Sequence, residues 1–263
     1  MNHANSALTR GYAVAFQTIL RKEINRFLRI WLQTILPPAI TMSLYFIIFG
    51  HVIGPRIGSM HGFNYMQYIA PGIIMMSVIT SAYSNVVSSL FGAKFQHHIE
   101  EILVAPIPDF LIVAGFVTGG IVRGILVGVV VTIVALCFTE LQVQSFAITF
   151  SVVILTAALF SLAGFINALF AKKFDDISIV PTFILTPLTY LGGVFYSIDL
   201  LPKFWQTVSL ANPIFYMVNA FRQGMLGVSD IDVRLAFGVI VLFIAGLFVT
   251  ALRMMRLGTG LRT

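Results

Sequence analysis

The chain has 263 residues, of which 58% are hydrophobic and only 10% charged. Soluble domains carry about 25% charged residues, so this composition cannot cover a water-facing surface and excludes an ordinary soluble domain. The net charge of +6 does not point to nucleic acid, because the cations sit beside apolar runs where membrane topology accounts for them.

No secretory leader is expected, since the first thirty residues are polar and basic, with no apolar core and no small-residue cleavage site. The segment 15–30, continuing to Trp31, predicts an interfacial helix. Phe16, Ile19, Leu20, Ile24, Phe27, Leu28 and Trp31 recur at helical spacing, and Gln17, Arg21, Lys22 and Arg29 fill much of the rest.

Six runs are long and apolar enough to cross about 30 Å of hydrocarbon. They are Trp31–Ile53, Tyr65–Phe91, Phe110–Phe138, Ala147–Phe170, Ile177–Tyr196 and Leu235–Leu252. The first contains Pro37-Pro38, the second Pro71-Gly72, and the fifth Pro181, Pro187 and Gly192-Gly193. Each proline removes a backbone donor and bends a helix. Pro181 and Pro187 are therefore candidates for a hinge or cavity wall, or simply for tolerated kinks. The third run carries Gly115, Gly119, Gly120, Gly124 and Gly128 at spacings that let two helices approach closely, whether in one chain or between two. Its midpoint holds Arg123. A charge there costs roughly 2.5–3.5 kcal/mol on insertion scales, so it should face a pathway, an anionic substrate or a neighbouring helix's carbonyls.

Between the second and third runs, residues 94–105 predict a short amphipathic helix. Phe95, Ile99, Ile102 and Leu103 supply an apolar stripe, and His97, His98, Glu100 and Glu101 the polar positions. Pro106 and Pro108 end it. The His/Glu pairs at i, i+3 would make a metal site only with a third ligand, and none is evident. After the fifth run, residues 200–227 predict an outer re-entrant hairpin that turns at Asn212-Pro213. Arg222 and the shortness of its second half argue against a seventh span.

The Lys and Arg positions set the orientation. With a cytoplasmic N-terminus, Arg10, Arg21, Lys22, Arg26, Arg29, Lys94, Lys172, Lys173, Arg253, Arg256 and Arg262 lie inside, against Arg56, Lys203, Arg222 and Arg234 outside. Both termini are thus expected in the cytoplasm. The single Cys137 allows no intramolecular disulfide. No Gly-x-x-x-x-Gly-Lys-Ser/Thr loop is present, so the chain should not hydrolyse ATP. No Asp or Glu falls inside an expected span, which argues against proton-coupled transport.

Several stretches carry a resemblance beyond this pattern: Glu100-Glu101-Ile-Leu-Val-Ala-Pro-Ile107, Phe174-Asp-Asp-Ile-Ser-Ile-Val-Pro181, residues 185–196, Leu201-Pro and Asn212-Pro213-Ile. Together they resemble permease subunits of the ABC-2 export family, which serves drug, nodulation-factor and polysaccharide export. The likeness is greatest to its YadH-like inner-membrane permeases. The resemblance implies a single all-α permease domain over 1–263, with a connecting helix at 15–30, a coupling helix at 94–105 and re-entrant helices at 200–227. It also implies a homodimer in the inner membrane and two separate cytoplasmic ATPase subunits. ATP and magnesium then belong to the ATPase, and no cofactor, metal or nucleic acid to this chain. An ATP-independent channel or a membrane scaffold is the alternative.

Overall fold

The computed structural model describes residues 2–260, with side chains from Arg10 onward; Arg262 lies outside the described residues. Among the described residues, ten helices make up the fold besides a 3-10 turn at Ile198–Leu200. They are α1 (Asn2–Arg29), α2 (Trp31–Ile57), α3 (Tyr65–Phe95), α4 (His98–Val104), α5 (Asp109–Leu136), α6 (Phe146–Phe170), α7 (176–190), α8 (Lys203–Leu210), α9 (Pro213–Leu226) and α10 (Val233–Leu257). A two-stranded hairpin, β1 (Ser59–Met60) with β2 (Phe63–Asn64), joins α2 to α3, with Met60 opposite Phe63.

Five helices, α2, α3, α5, α6 and α10, are long and apolar enough to cross a membrane, so the chain is an all-α, multi-pass membrane protein. The fifth expected run is different. Its helix α7 consists of three five-residue pieces, and the middle one, Pro181–Leu185, is a π-turn. Pro187 has no N–H for the carbonyl four residues back, and the register slips so that the Thr186 N–H reaches the Pro181 carbonyl. Helix α7 then stops beside Tyr45, about midway along α2, where the hydroxyls of Tyr45 and Tyr190 lie 3.0 Å apart. Gly193 turns the chain with a φ of +72°.

The remaining depth is filled by α9. Asn212 caps it, accepting from the Ile214 N–H, and donates to the Leu188 carbonyl. Asn64 caps α3 in the same way, in a capping box with Gln67.

Helix α3 is the hub, buried along 78% of its span and packed on α5 and α6. The glycines of α5 set its distances. A Cβ at Gly124 would sit 3.2 Å from Ala82, and one at Gly128 would sit 2.8 Å from Val78, both on α3. Gly115 and Gly119 receive α1, since a Cβ at either would come within 2.6 Å of Ile19 or Glu23. The small-residue stripe therefore serves partners within the chain. Helix α1 is longer than the expected 15–30 segment, and its stripe divides: Ile19 and Phe27 are buried, whereas Leu28 and Trp31 are exposed.

The two ends of the bundle differ in charge. At one, called here the basic end, Lys94 donates to the carbonyls of Leu169 and Ala171, and Arg256 lies 4.0 Å from Asp109. The hairpin end lies opposite. Helices α2 and α10 are each only 17% buried along their spans. Helix α7 is exposed except at Leu185 and Thr189, with half-buried positions between.

Candidate functional site

Three arrangements collect the functional candidates. The first is at the basic end, where α4 bridges α3 and α5. Helix α3 continues through Phe95, and the chain breaks at Gln96 and His97, the latter held at a φ of +59°. The short helix is therefore 98–104 rather than 94–105. Phe95 lies on the end of α3, not on α4, and packs on Phe91 and on Phe174, 4.9 Å away. The apolar stripe also faces two ways. Ile99 is buried at 1% exposure and Ile102 is half-buried, whereas Leu103 is 38% exposed and Val104 86%. The outward face of α4 thus combines Leu103 and Val104 with His98, Glu100 and Glu101, all exposed. His97 and Glu100 pair at 2.8 Å on the surface, which accounts for one His/Glu pair without a metal. His98, Glu101 and Ile102 border a cavity against Thr18, Ile19 and Lys22 of α1, so α4 faces α1 across that cavity. Such a short helix can transmit a push on its outer face to the two helices it joins.

The second arrangement is a polar cluster inside the bundle. Glu23 of α1 is completely buried. It accepts from Ser89 at 2.5 Å and faces Arg26 at 3.4 Å. Arg26 donates to the backbone and side-chain oxygens of Asn85, both at 2.8 Å. Arg123 lies one turn beyond Gly119 of α5, whose face meets Glu23 and Asn85. Arg26 Nε, Arg123 Nε and Asn85 Nδ2 have no hydrogen-bond partner among the described residues. Donors therefore outnumber acceptors, with two arginines against one carboxylate. The sequence reading singled out Arg123 but missed Glu23, Arg26 and Asn85 as a group. The available signal was one acid on an otherwise apolar helical face, four residues from both Ile19 and Phe27. Among the spanning helices the carboxylate present is Asp109, the first residue of α5, and α1 brings Glu23 to the bundle from the side.

The third arrangement lies where α2 and α7 meet. Tyr45 and Phe49 of α2 cluster with Tyr190 and Phe195, with Phe49 and Phe195 stacked at 4.5 Å. Pro181 and Pro187 bracket the π-turn just before this cluster. Arg222, placed on the outer side by the sequence reading, is fully buried in α9. It donates to the Gly193 carbonyl at 2.7 Å and lies 4.0 Å over the Tyr68 ring, a cation–π contact. This arginine secures the turn that ends α7 and does not belong to an exposed loop.

Comparison with known proteins agrees with this geometry. Residues 14–226 match the ABC-2 type transporter family. The chain is 59% identical to the inner membrane transport permease YadH of Escherichia coli K12 over 252 residues, 96% of this chain and 98% of that one. It is 24% identical to nodulation protein J of Rhizobium leguminosarum bv. viciae over 81% of this chain and 83% of the relative. With Rhizobium meliloti nodulation protein J the identity is 21%, over 84% of each. A bundle of apolar spanning helices with a short bridging helix at its basic end, matched over most of its length, thus belongs to the ABC-2 type transporter family, as a non-enzymatic permease subunit of an ABC transporter.

Proposed function

We propose that two copies of this permease enclose an export path and that separate ATPase subunits drive it from the basic end, which faces the cytoplasm of an inner membrane. The outward face of α4 carries this reading. Leu103 and Val104 stand exposed beside Glu100 and Glu101 on a helix joined at both ends to spans. Lipid does not account for the acidic positions, whereas a protein groove with apolar and cationic contacts suits both. The name of the Escherichia coli relative supports an inner-membrane transport role, and the excess of Lys and Arg at the basic end supports its cytoplasmic placement.

The exposed apolar faces of α2 and α7 support the homodimer. Leu32, Leu36, Ile40 and Leu44 recur every four residues along α2, and Phe183 and Ile184 stand out from α7 at 73% and 52% exposure. Pairing the two helices with their copies places the prolines, the π-turn and the Tyr45–Tyr190 contact beside the seam. A π-turn is a common site of hinge motion. Closure of the ATPases would press α4, and the seam would open at this weak register. Arg123 and its orphaned donors serve an anionic group of the transported molecule in this reading. Co-purification tests the proposal: the ATPase should be recovered with the permease dimer, and its ATP hydrolysis should depend on the permease. A permease that purifies as a monomer and never retains an ATPase would favour the channel or scaffold alternative.

A further inference from the structure

At the hairpin end, three segments distant in sequence converge on one small volume. His61 stands at the tip of the β1–β2 hairpin, Asp199 in the turn Ile198–Leu200, and Asp230 in the connection from α9 to α10. One ligand atom from each lies within 4.8 Å of the others, and His61 Nε2 is 3.6 Å from Asp230 Oδ1. The Asp230 side chain is only 2% exposed, whereas that of His61 is 40% exposed. The group is thus anchored at its base and open at its mouth.

The anchoring is specific. Asp230 accepts from the Ser197 hydroxyl at 3.0 Å and from the Ile198 N–H at 3.2 Å, while its own N–H donates to Asn219. Arg222 does not neutralise it by direct pairing, because its Nη groups are directed to Gly193 and Asn219. A separate observation points into the same volume. Tyr68 is completely buried, its ring stacks on His61 at 5.7 Å, and its hydroxyl has no hydrogen-bond partner among the described residues. The polar and charged side chains around Tyr68 are Arg222, which lies over its ring, and Asp230, Ser197 and Asp199, with the Ser197 hydroxyl the near hydrogen-bonding neighbour of the Tyr68 hydroxyl. The Tyr68 hydroxyl is thus a buried polar atom beside the cluster with unused hydrogen-bonding capacity.

We propose that His61, Asp199 and Asp230 form a binding site for a first-row divalent transition metal, with the Tyr68 hydroxyl facing the ion. One imidazole and two carboxylates are a donor set that such ions accept, with bonds of about 2.0–2.2 Å for zinc. Those lengths require ligand atoms a little over 3 Å apart, close to the 3.6 Å between His61 and Asp230. Asp199 is exposed, with a carboxylate oxygen within 4.8 Å of the other two ligand atoms. His61 and Gly62 have φ of +50° and +82°, so the two-residue turn holds the imidazole at the hairpin tip. An ion here ties the hairpin between α2 and α3 to the turn after α7 and to the α9–α10 connection. It therefore latches the hairpin end, where the path would open, and it does so independently of the ATPase.

The test uses the purified full-length chain in detergent, with its affinity tag removed and its metal stripped by EDTA. Zn2+ is titrated calorimetrically, and Co2+ is followed by its visible d–d absorption. Wild type should bind one ion per chain, show Co2+ bands characteristic of nitrogen and oxygen ligands, and melt at a higher temperature with Zn2+ present. His61→Asn and Asp199→Asn should each weaken binding at least about tenfold and abolish the melting shift. Asparagine is chosen at position 61 because it tolerates positive φ and keeps the turn. His51→Ala, which removes another histidine toward the same end, should leave binding unchanged. Affinity unaltered in His61→Asn, equal loss in His51→Ala, or no saturable ion in wild type would each overturn the site.

Discussion

Ile99 and Val104 lie five residues apart on one short helix, yet the structure assigns them opposite fates. Val104 is 86% exposed and Ile99 is 1% exposed. Val104→Asp therefore removes nothing from the core of the isolated permease. If Val104 seats in an ATPase groove, burying it contributes roughly 1.5–3 kcal/mol. Losing that contribution weakens the complex about 10- to 100-fold, at 1.4 kcal/mol per tenfold. Ile99→Asp places a carboxylate where an aliphatic side chain is packed. Truncation of such a residue alone costs about 2–5 kcal/mol, and desolvating the charge adds to that. The two variants should separate in one experiment: the permease is co-expressed with its ATPase, purified by a tag on the permease, and scored for folded yield and ATPase recovery. Val104→Asp should keep the wild-type yield and size-exclusion profile while losing the ATPase. Ile99→Asp should lose folded yield itself. Full ATPase recovery by Val104→Asp, with undiminished stimulation of ATP hydrolysis, would refute the docking role of this face. Normal yield of Ile99→Asp would refute the inward packing of α4.

Further outcomes follow from the bundle. Gly119→Leu drives a side chain into Glu23 of α1, whose Cβ already lies 2.6 Å from the position of an added Cβ; folded yield should fall, whereas Gly246→Leu on α10, with open space around it, should have no effect. Arg123→Ala should leave yield intact and lower transport if its orphaned Nε serves an anionic cargo; a loss of yield with unchanged transport per folded molecule would make the residue structural. Single cysteines at positions 183 and 184 of α7, in a background lacking Cys137, should form disulfide-linked dimers in membranes, and monomers alone would place the seam elsewhere. In the same background, a membrane-impermeant thiol reagent added outside should label position 62 and not position 98, and the reverse pattern would invert the orientation.

Much of this protein was legible without coordinates, because lipid imposes a simple rule. A helix satisfies its own backbone and must present about 20 apolar residues to cross, so Trp31, Tyr65, Ala147 and their successors announce spans by composition alone. The basic loops, the proline stop at Pro106 and the Asn212-Pro213 turn are local signals of the same kind. Relations between segments were not legible. Nothing along the chain says which partners Glu23 meets, that Gly115 and Gly119 receive α1 while Gly124 and Gly128 receive α3, or that Ile99 turns inward while Val104 turns out. Helix α7 reads as a kinked apolar span over Ile177–Tyr196, but the missing Pro187 donor shifts its register, and Gly193 and the buried Arg222 then end it short of the hairpin end. His61, Asp199 and Asp230 share no sequence pattern, being separated by more than a hundred residues at one step. Hydropathy and chain chemistry decide what each segment is; only close packing, where one Cβ too many cannot be accommodated, decides which segments meet.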